Sequence, residues 1–251
     1  MAQSLESLNP GRWSRRRLWI AFLLMCAIGA AAALRRIIAL GTPAPAGATD
    51  FARLDAHFRA MAGLTLLHVV PSLLFVLLVP LQFVSSLRDR YPQLHRWVGR
   101  MTMVLGLMIG ISALSLSLHP IGGVVEGAAT ILFGCLFLFF LIQAWWHIRN
   151  QRVELHREWV IRMVAVALGV ATTRPIIALF FATSRLTGLS PEQFFGPAMW
   201  LGFTATYVAG EMWLRRSRGR VNLERTRLVS AAVASQVPIA LDCADSVEQL
   251  K

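Results

Sequence analysis

Charged residues are scarce in this sequence. Only 15% of its 251 residues are Asp, Glu, Lys or Arg and 56% are hydrophobic, whereas an average soluble protein has about 25% charged residues. Acidic residues are scarcer than basic ones: the sequence has 13 Asp and Glu and 25 Lys and Arg. The scarcity of charge excludes an ordinary soluble domain of this length and indicates a protein that lies in a membrane.

The sequence is also poor in cysteine and lacks common catalytic motifs. Of its three cysteines, Cys26 and Cys135 lie inside apolar runs and Cys243 lies near the C-terminus, with no CxxC spacing. These positions exclude a disulfide framework and a zinc finger. The sequence has no HExxH, GxSxG, Walker A or dinucleotide-binding motif, so motifs assign no reaction to it.

The surplus of basic residues does not indicate a nucleic-acid-binding protein. The net charge is +12, but the arginines lie in short clusters between apolar runs rather than in one patch. Such clusters are typical of the loops of membrane proteins. We therefore expect the lipid bilayer as a partner and no nucleic acid.

Long apolar runs are what the sequence has in quantity. Each is long enough for a transmembrane helix, and none has the period-2 alternation of a strand. The six runs cover approximately residues 18–34, 60–83, 97–118, 124–146, 159–181 and 196–214. We predict an all-α fold, a polytopic membrane bundle of six transmembrane helices over residues 18–214. A basic segment, 1–17, precedes the bundle, and a loosely ordered tail, 215–251, follows it.

The first apolar run allows two interpretations. With Arg15–Arg17 before it and Ala30–Ala33 near its end, it fits a cleavable signal peptide. Because further apolar runs follow, we interpret it as an uncleaved first transmembrane helix.

The distribution of arginine predicts the orientation. If the N-terminus is inside, the cytoplasmic segments hold most of the arginines, while the connection 119–123 has no Lys or Arg at all. The linker 41–56, rich in Pro, Gly and Ala, is then an extracytoplasmic loop. The positive-inside rule therefore predicts a multi-pass membrane protein with both termini cytoplasmic.

Part of the sequence occurs twice. At an offset of sixty-one positions, the segment that begins at Gln82 matches the segment that begins at Gln143. The identical pairs are Gln82 and Gln143, Arg88 and Arg149, Leu94 and Leu155, His95 and His156, and Arg96 and Arg157. Each copy lies between two apolar runs, which favours duplication of a helical hairpin, with the second and third helices corresponding to the fourth and fifth.

Five short segments stand in an order typical of one known family. They are an intramembrane histidine (His68), LQF (Leu81–Phe83), LHRWVGR (Leu94–Arg100), LHREWVIR (Leu155–Arg162) and TTRP (Thr172–Pro175). This series resembles the bacterial predicted membrane proteins grouped as domain of unknown function 2306, over about His57 to Leu214. The resemblance implies an integral membrane protein of the same architecture. It implies no particular activity, substrate or cofactor.

The repeated segments supply one set of candidate residues at the cytoplasmic interface. This set is His95, Arg96, Arg100, His156, Arg157 and Arg162. One interpretation is that these residues contact lipid phosphates. The other is that His95 and His156 face each other and share a metal ion or a b-type haem, which would make the chain an electron-transfer protein.

Polar residues inside the apolar runs supply the second set of candidates. His68 and Arg174 fall in the outer half of the predicted bilayer, where charge is costly, and Thr172, Thr173 and Glu126 are expected beside them. One interpretation is a snorkelling arginine and a hydrogen-bonded core histidine. We predict instead that His68 and Arg174 line one cavity for a small anionic, quinone-like or lipid ligand, with the charge of Arg174 keeping His68 neutral.

Overall fold

The structure is a computed structural model of the chain, and it describes residues 10–43 and 50–236. Over these residues it consists of eight α-helices, without any β-strand. The helices are α1 (Pro10–Gly41), α2 (Asp50–Ala60), α3 (Ala62–Gln82), α4 (Ser85–Arg90), α5 (Pro92–Leu116), α6 (Gly123–Arg149), α7 (Val153–Thr187) and α8 (Pro191–Gln236). The prediction of an all-α fold is confirmed for this part of the chain.

Five of the described helices are long and apolar enough to cross a membrane: α1 from Arg16 onward, α3, α5, α6 and α7. Large apolar side chains cover their outer surfaces; Leu77, Val104, Ile142 and Leu179 are 56%, 56%, 56% and 65% exposed. Such a surface is unfavourable in water and suits contact with lipid tails. The first five predicted spans therefore correspond to helices of the structure.

The sixth predicted span, 196–214, lies within α8, which is not among the five candidate spans of the described residues. Polar or weakly apolar residues such as Thr204, Thr206, Tyr207 and Glu211 interrupt it. The count of six spans stays a prediction.

Proline and glycine mark several helix ends. Pro92 and Pro191 each begin a helix, where the missing N–H of proline costs nothing because the first turn leaves that position unbonded. Gly188 ends α7 in the left-handed conformation, at φ +67°, and its N–H donates to Ser184 O at 2.8 Å. Glycine adopts this conformation without steric cost.

Two segments are more ordered than the sequence indicated. The linker 41–56, predicted as a loop, contains the first turns of α2, because Leu54 and Phe58 recur at helical spacing and pack beside Ile177 in a second core. Residues 215–236, predicted as a loosely ordered tail, continue α8. This stretch has no proline and is rich in good helix formers. Residues 237–251 and 1–9 lie outside the described part, as do residues 44–49 of the linker.

The chain divides into two compact units, residues 1–209 and 210–251, and every contact described below lies in the first. Its five long helices form a ring in which α1 packs on α3, α3 on α5, α5 on α6, α6 on α7, and α7 on α1. Because successive helices alternate in direction, α2 and the α5–α6 connection lie at one end of the ring, here called the α2 end. The α4 and α6–α7 connections lie at the other, the α4 end.

The first part of α8 packs closely on α6 and α7. The indole N–H of Trp200 donates to Val125 O at 3.1 Å, and the rings of Phe133 and Phe203 stack with centroids 4.9 Å apart. The aromatic core continues inward through Phe75 and Phe137, 6.1 Å apart. These rings position the walls of the site.

Candidate functional site

A cavity of about 370 Å³ lies inside the helix ring, with residues of α1, α2, α3, α5, α6, α7 and α8 in its wall. Most of the wall is aromatic or aliphatic, and it includes Phe75, Phe133, Phe137, Val166 and Phe203. This volume lies in the range of ligand pockets, about 300–1,000 Å³. The cavity suits a ligand whose body is largely apolar.

Three of the predicted pocket residues line this cavity: His68 from α3, Glu126 from α6 and Arg174 from α7. Glu126 lies in the first turn of α6, and its carboxylate accepts a hydrogen bond from the N–H of Gly122. The favourable position of an acid at a helix N-terminus explains why this buried carboxylate is stable there.

Arg174 differs from the other arginines of the cavity because it has no partner. Its Nε is buried without a hydrogen-bond acceptor, and no described residue forms an ion pair with it. Arg35 and Arg36, by contrast, both reach Asp55, at 3.1 and 2.6 Å. Arg174 as a whole is half-buried. A guanidinium in largely apolar surroundings without a carboxylate is costly, so Arg174 is the residue of this wall that an anion would stabilise most.

The imidazole ring of His68 is held by hydrogen bonds to helix α5. Its Nδ1 lies 3.0 Å from Ser112 Oγ on α5, and Ser112 Oγ in turn lies 2.6 Å from Met108 O. The backbone of Ile109, also on α5, contributes a further hydrogen bond to the ring, and the described residues offer the ring no partner outside α5. The ring is therefore fixed by α5 and has one nitrogen available for another contact.

Helix α2 lies at the α2 end of the helix ring, where side-chain contacts hold it next to the cavity. Asp55 bonds Arg35 and Arg36 of α1, and the Arg36 guanidinium lies 4.0 Å from the centre of the Phe58 ring. The ring nitrogen Nε2 of His57 lies 3.0 Å from His119 O. Both charged and aromatic contacts thus hold α2 in place.

Sequence reasoning missed this group of residues: Arg35, Arg36, His57 and Phe58 all line the cavity, and Asp55 holds two of them. The signal was present in DFARLDAHFRA, where apolar residues recur at helical spacing on both sides of Asp55. We read it as a loop because the preceding residues are rich in proline and glycine.

Two predicted pocket residues, Thr172 and Thr173, are absent from the cavity wall. Thr173 is completely buried and its hydroxyl donates to Val170 O at 2.7 Å. The Thr172 hydroxyl lies 3.3 Å from Leu168 O. Successive residues of a helix point about 100° apart, so neighbours of Arg174 in sequence face other directions. Their hydroxyls satisfy backbone carbonyls of α7.

The candidate interface residues lie at the α4 end. Nδ1 of His156 donates to Ala144 O at 2.7 Å, since a carbonyl only accepts, while Nδ1 of His95 is buried without a partner. No group of three or more His, Cys, Asp or Glu in the described residues is arranged to hold a metal ion. A b-type haem shared by His95 and His156 stays a prediction.

The arginines near these histidines contact neighbouring groups of their own helices. Arg96 Nε donates to Pro92 O at 3.3 Å, and Arg100 lies over Trp97 at 5.3 Å. Arg162 lies 3.7 Å from Glu158 and over the Trp159 ring at 4.7 Å. Arg157 also has an interaction partner. These residues lie at one end of the helix ring. This position is consistent with the interface between membrane and water, where arginine and tryptophan are common.

The ring of apolar helices around a cavity defines an all-helical integral membrane protein. Residues 65–214 match the model of a family described as predicted membrane protein (DUF2306). The chain belongs to this family, and the predicted resemblance is confirmed. No curated protein and no solved structure matches the chain.

Proposed function

We propose that this protein binds a small ligand with an anionic or carbonyl head and an apolar body in the cavity of its helix ring. In this proposal the chain crosses a bacterial inner membrane six times, with both termini cytoplasmic and the α2 end outside. The arginine distribution supports this orientation, because the α5–α6 connection contains no basic residue other than His119.

The observation that carries the proposal is the unpartnered Arg174 in the cavity wall. A guanidinium offers five N–H donors in a planar fork that matches carboxylate, phosphate and carbonyl oxygens. Because no described residue forms an ion pair with Arg174 and its side chain as a whole is only half-buried, a ligand oxygen in the cavity would supply a partner for the guanidinium. Hydrogen bonds to charged groups are worth about 1.5–3 kcal/mol each.

The charges around the cavity also favour an anion. Arg35, Arg36 and Arg174 bring three positive charges to the wall. Glu126 in the wall and Asp55 behind it bring two negative charges. One positive charge is left over, and the low dielectric of the interior makes its effect strong.

A duplicated hairpin is the architectural part of the proposal. The pairs α3 with α5 and α6 with α7 each pack together around a short connection. His95 N–H donates to Tyr91 O at 3.1 Å and His156 N–H donates to Arg152 O at 3.0 Å. Helices α5 and α7 begin at Pro92 and Val153, which are also sixty-one positions apart, and this supports a common origin of the two hairpins.

The test of ligand binding uses octyl sulfate, an anion with a short apolar chain. Calorimetric titration of the full-length protein in lipid nanodiscs, with empty nanodiscs as the blank, should give saturable binding. Arg174→Ala should weaken it by about 10- to 100-fold, and Arg174→Lys should recover part of the loss, since lysine keeps the charge without the planar fork. Arg96→Ala, at the α4 end, is the matched control and should bind as the wild type does.

The two alanine variants separate the possible outcomes. Equal binding by Arg174→Ala and wild type would refute the proposed site. Equal loss in Arg174→Ala and Arg96→Ala would show that octyl sulfate binds by surface charge alone. Insertion of Arg174→Ala should be intact, because removing a charge from a membrane-spanning helix lowers its insertion cost.

Electron transfer with b-type haem is the second candidate function, favoured by the buried, unpartnered Nδ1 of His95. A reduced-minus-oxidised absorption spectrum of the purified protein tests it. A haem signal that disappears in both His95→Ala and His156→Ala would support this function over the first.

A further inference from the structure

The hydrogen bonds of His68 determine which of its nitrogens carries the proton. Ser112 has a single hydroxyl proton, and its Oγ lies 2.6 Å from Met108 O, which can only accept. The hydroxyl therefore donates to that carbonyl. Its oxygen is left to accept from His68 Nδ1, at 3.0 Å. Nδ1 of His68 thus carries a proton and acts as a donor.

The other ring nitrogen is left as an acceptor. Two positive charges in the same apolar cavity would repel each other, so the presence of Arg174 in the wall favours a neutral His68. A neutral imidazole with its proton on Nδ1 has a lone pair on Nε2. The cavity therefore presents an acceptor on His68 as well as donors on Arg174, and a matching ligand has both an anionic oxygen and a donor.

Other charged or titratable groups of the wall already have partners. These are Arg35, Arg36, His57 and Glu126, whereas His119 is exposed and contributes its backbone carbonyl. Asp55 bonds both arginines of α1, the ring of His57 bonds the carbonyl of His119, and Glu126 bonds the N–H of Gly122. His68 Nε2 and Arg174 are thereby left to contact a ligand.

We infer that the head group of the ligand is a phosphate monoester in its singly protonated form. Its anionic oxygens would contact Arg174 while its P–OH donates to His68 Nε2. This inference rests on the ligand-binding function proposed above. A sulfate monoester or a carboxylate has no proton to donate near neutral pH, and a quinone carbonyl has none at all. Of these head groups, only the phosphate monoester can both accept hydrogen bonds from Arg174 and donate one to His68 Nε2.

The size of the cavity limits the apolar part. A volume of about 370 Å³ lies at the small end of ligand pockets, about 300–1,000 Å³, and so has room for a head group with a short apolar chain. Octyl phosphate meets this description. The same head group could come from a lipid-borne monoester or from free phosphate, and the experiment below distinguishes these sources.

The experiment compares octyl phosphate with octyl sulfate, which differ in the P–OH but share the chain and, at about pH 5.5, a single negative charge. Calorimetric titration in nanodiscs should show the wild type binding octyl phosphate roughly three- to tenfold more tightly. His68→Phe should lose this preference while still binding octyl sulfate, which shows that the variant is folded. His68→Gln, whose amide oxygen can accept, should keep part of it.

Two further measurements complete the test. Thr130→Val, in the same wall, should keep the phosphate preference, because the Thr130 hydroxyl already donates to Glu126 O at 3.0 Å. At about pH 8 the monoester loses its second proton, whose pKa is about 6. The difference between wild type and His68→Phe towards octyl phosphate should then disappear.

The outcomes separate this inference from the proposed function. Equal binding of both octyl compounds, still dependent on Arg174, would overturn the phosphate assignment and leave the anion site standing. A preference for octyl sulfate would overturn it too, since His68 would then act as a donor. Absence of binding by either compound would refute both proposals. Inorganic phosphate that binds as tightly as octyl phosphate would support the head group and identify the free anion as its source.

Discussion

At the scale of single residues, Gly202 sets how closely α7 and α8 approach. A Cβ atom at Gly202 would lie 2.9 Å from the backbone nitrogen of Thr173 and 3.1 Å from the carbonyl oxygen of Gly169. Backbone atoms cannot move aside as a flexible side chain does. We expect Gly202→Ala to destabilise the protein by about 1–3 kcal/mol through overpacking, seen as a lower midpoint of thermal unfolding.

The matched control for this variant is Gly63→Ala. Gly63 also lies in a membrane-spanning helix, α3, but a Cβ there has no atom within 4 Å. Alanine favours helix over glycine, so Gly63→Ala should unfold at the same temperature or slightly higher. Equal midpoints for the two variants would mean that α7 and α8 are not packed at Gly202 as described.

Single residues were predictable where their chemistry conflicts with their surroundings. His68 and Arg174 stood out because polar groups are costly in an apolar run, and both line the cavity. Ser112 could not be selected, since a serine in a membrane helix is common and usually bonds its own backbone. Its contact with His68 depends on the packing of α3 on α5, which sequence periodicity does not determine.

At the scale of elements, helix α2 depends on one buried carboxylate. Asp55 and Arg36 have side chains only 10% exposed each, and their atoms are 2.6 Å apart. Asp55→Asn would leave Arg36 without its counter-charge, and breaking such a buried pair costs about 3–5 kcal/mol. We expect α2 to open locally, with faster amide hydrogen exchange over residues 50–60 measured by mass spectrometry.

Asp89→Asn is the control for the Asp55 substitution. The Arg88–Asp89 pair, at 3.2 Å, is exposed on both sides, at 55% and 67%. Exposed pairs contribute about 0–1 kcal/mol, so this variant should leave exchange over residues 50–60 unchanged. Unchanged exchange in Asp55→Asn as well would show that the ion pair does not hold α2.

The duplicated hairpin predicts a shared position for two histidines. His95→Cys and His156→Cys, introduced singly after replacement of Cys26, Cys135 and Cys243 by serine, should both react with a membrane-impermeant maleimide only when the cytoplasmic side is accessible. The physical reason is that equivalent helices of the two hairpins begin on the same side. Labelling from opposite sides would end the duplication hypothesis.

The sequence predicted where the membrane helices lie better than it predicted where each helix begins and ends. The apolar run 124–146 nearly equals α6, Gly123–Arg149, because only a short basic turn with His147 and Arg149 follows the run before the helix ends. The run 159–181 is much shorter than α7, Val153–Thr187, since polar residues such as Glu154 and Ser184 continue the helix beyond the apolar core. Hydrophobicity reports where a helix is buried in lipid, whereas hydrogen bonding and caps decide where it ends.

At the scale of the whole molecule, the number of membrane crossings decides where the C-terminal part lies. An even count returns it to the side of the N-terminus, and an odd count leaves it opposite. With six crossings, a reporter fused after Arg216 should be active in the cytoplasm, and one fused after Gly188 should be active outside. Periplasmic activity after Arg216 would leave five crossings.

The composition of residues 196–214 explains why the sequence alone leaves the count open. The segment is long enough to span, but Thr, Tyr and Glu lower its hydropathy. Its apolar residues Ala198 and Phe203 are buried against the ring, whereas Leu201 and Val208 are exposed. A helix that buries its apolar side in protein needs fewer apolar residues than one surrounded by lipid.

The helix ring has an evolutionary consequence. The family match begins at residue 65, so His68, Glu126 and Arg174 belong to the shared segment, whereas Arg35, Arg36 and His57 of the same cavity precede it. The cavity is thus composite: part of its wall lies in the segment that the family model matches, and another part is contributed by α1 and α2, which precede that segment. Under the proposed ligand-binding function, we expect substitutions in α1 and α2 to change which ligand fits while the matched segment that holds His68 and Arg174 stays the same.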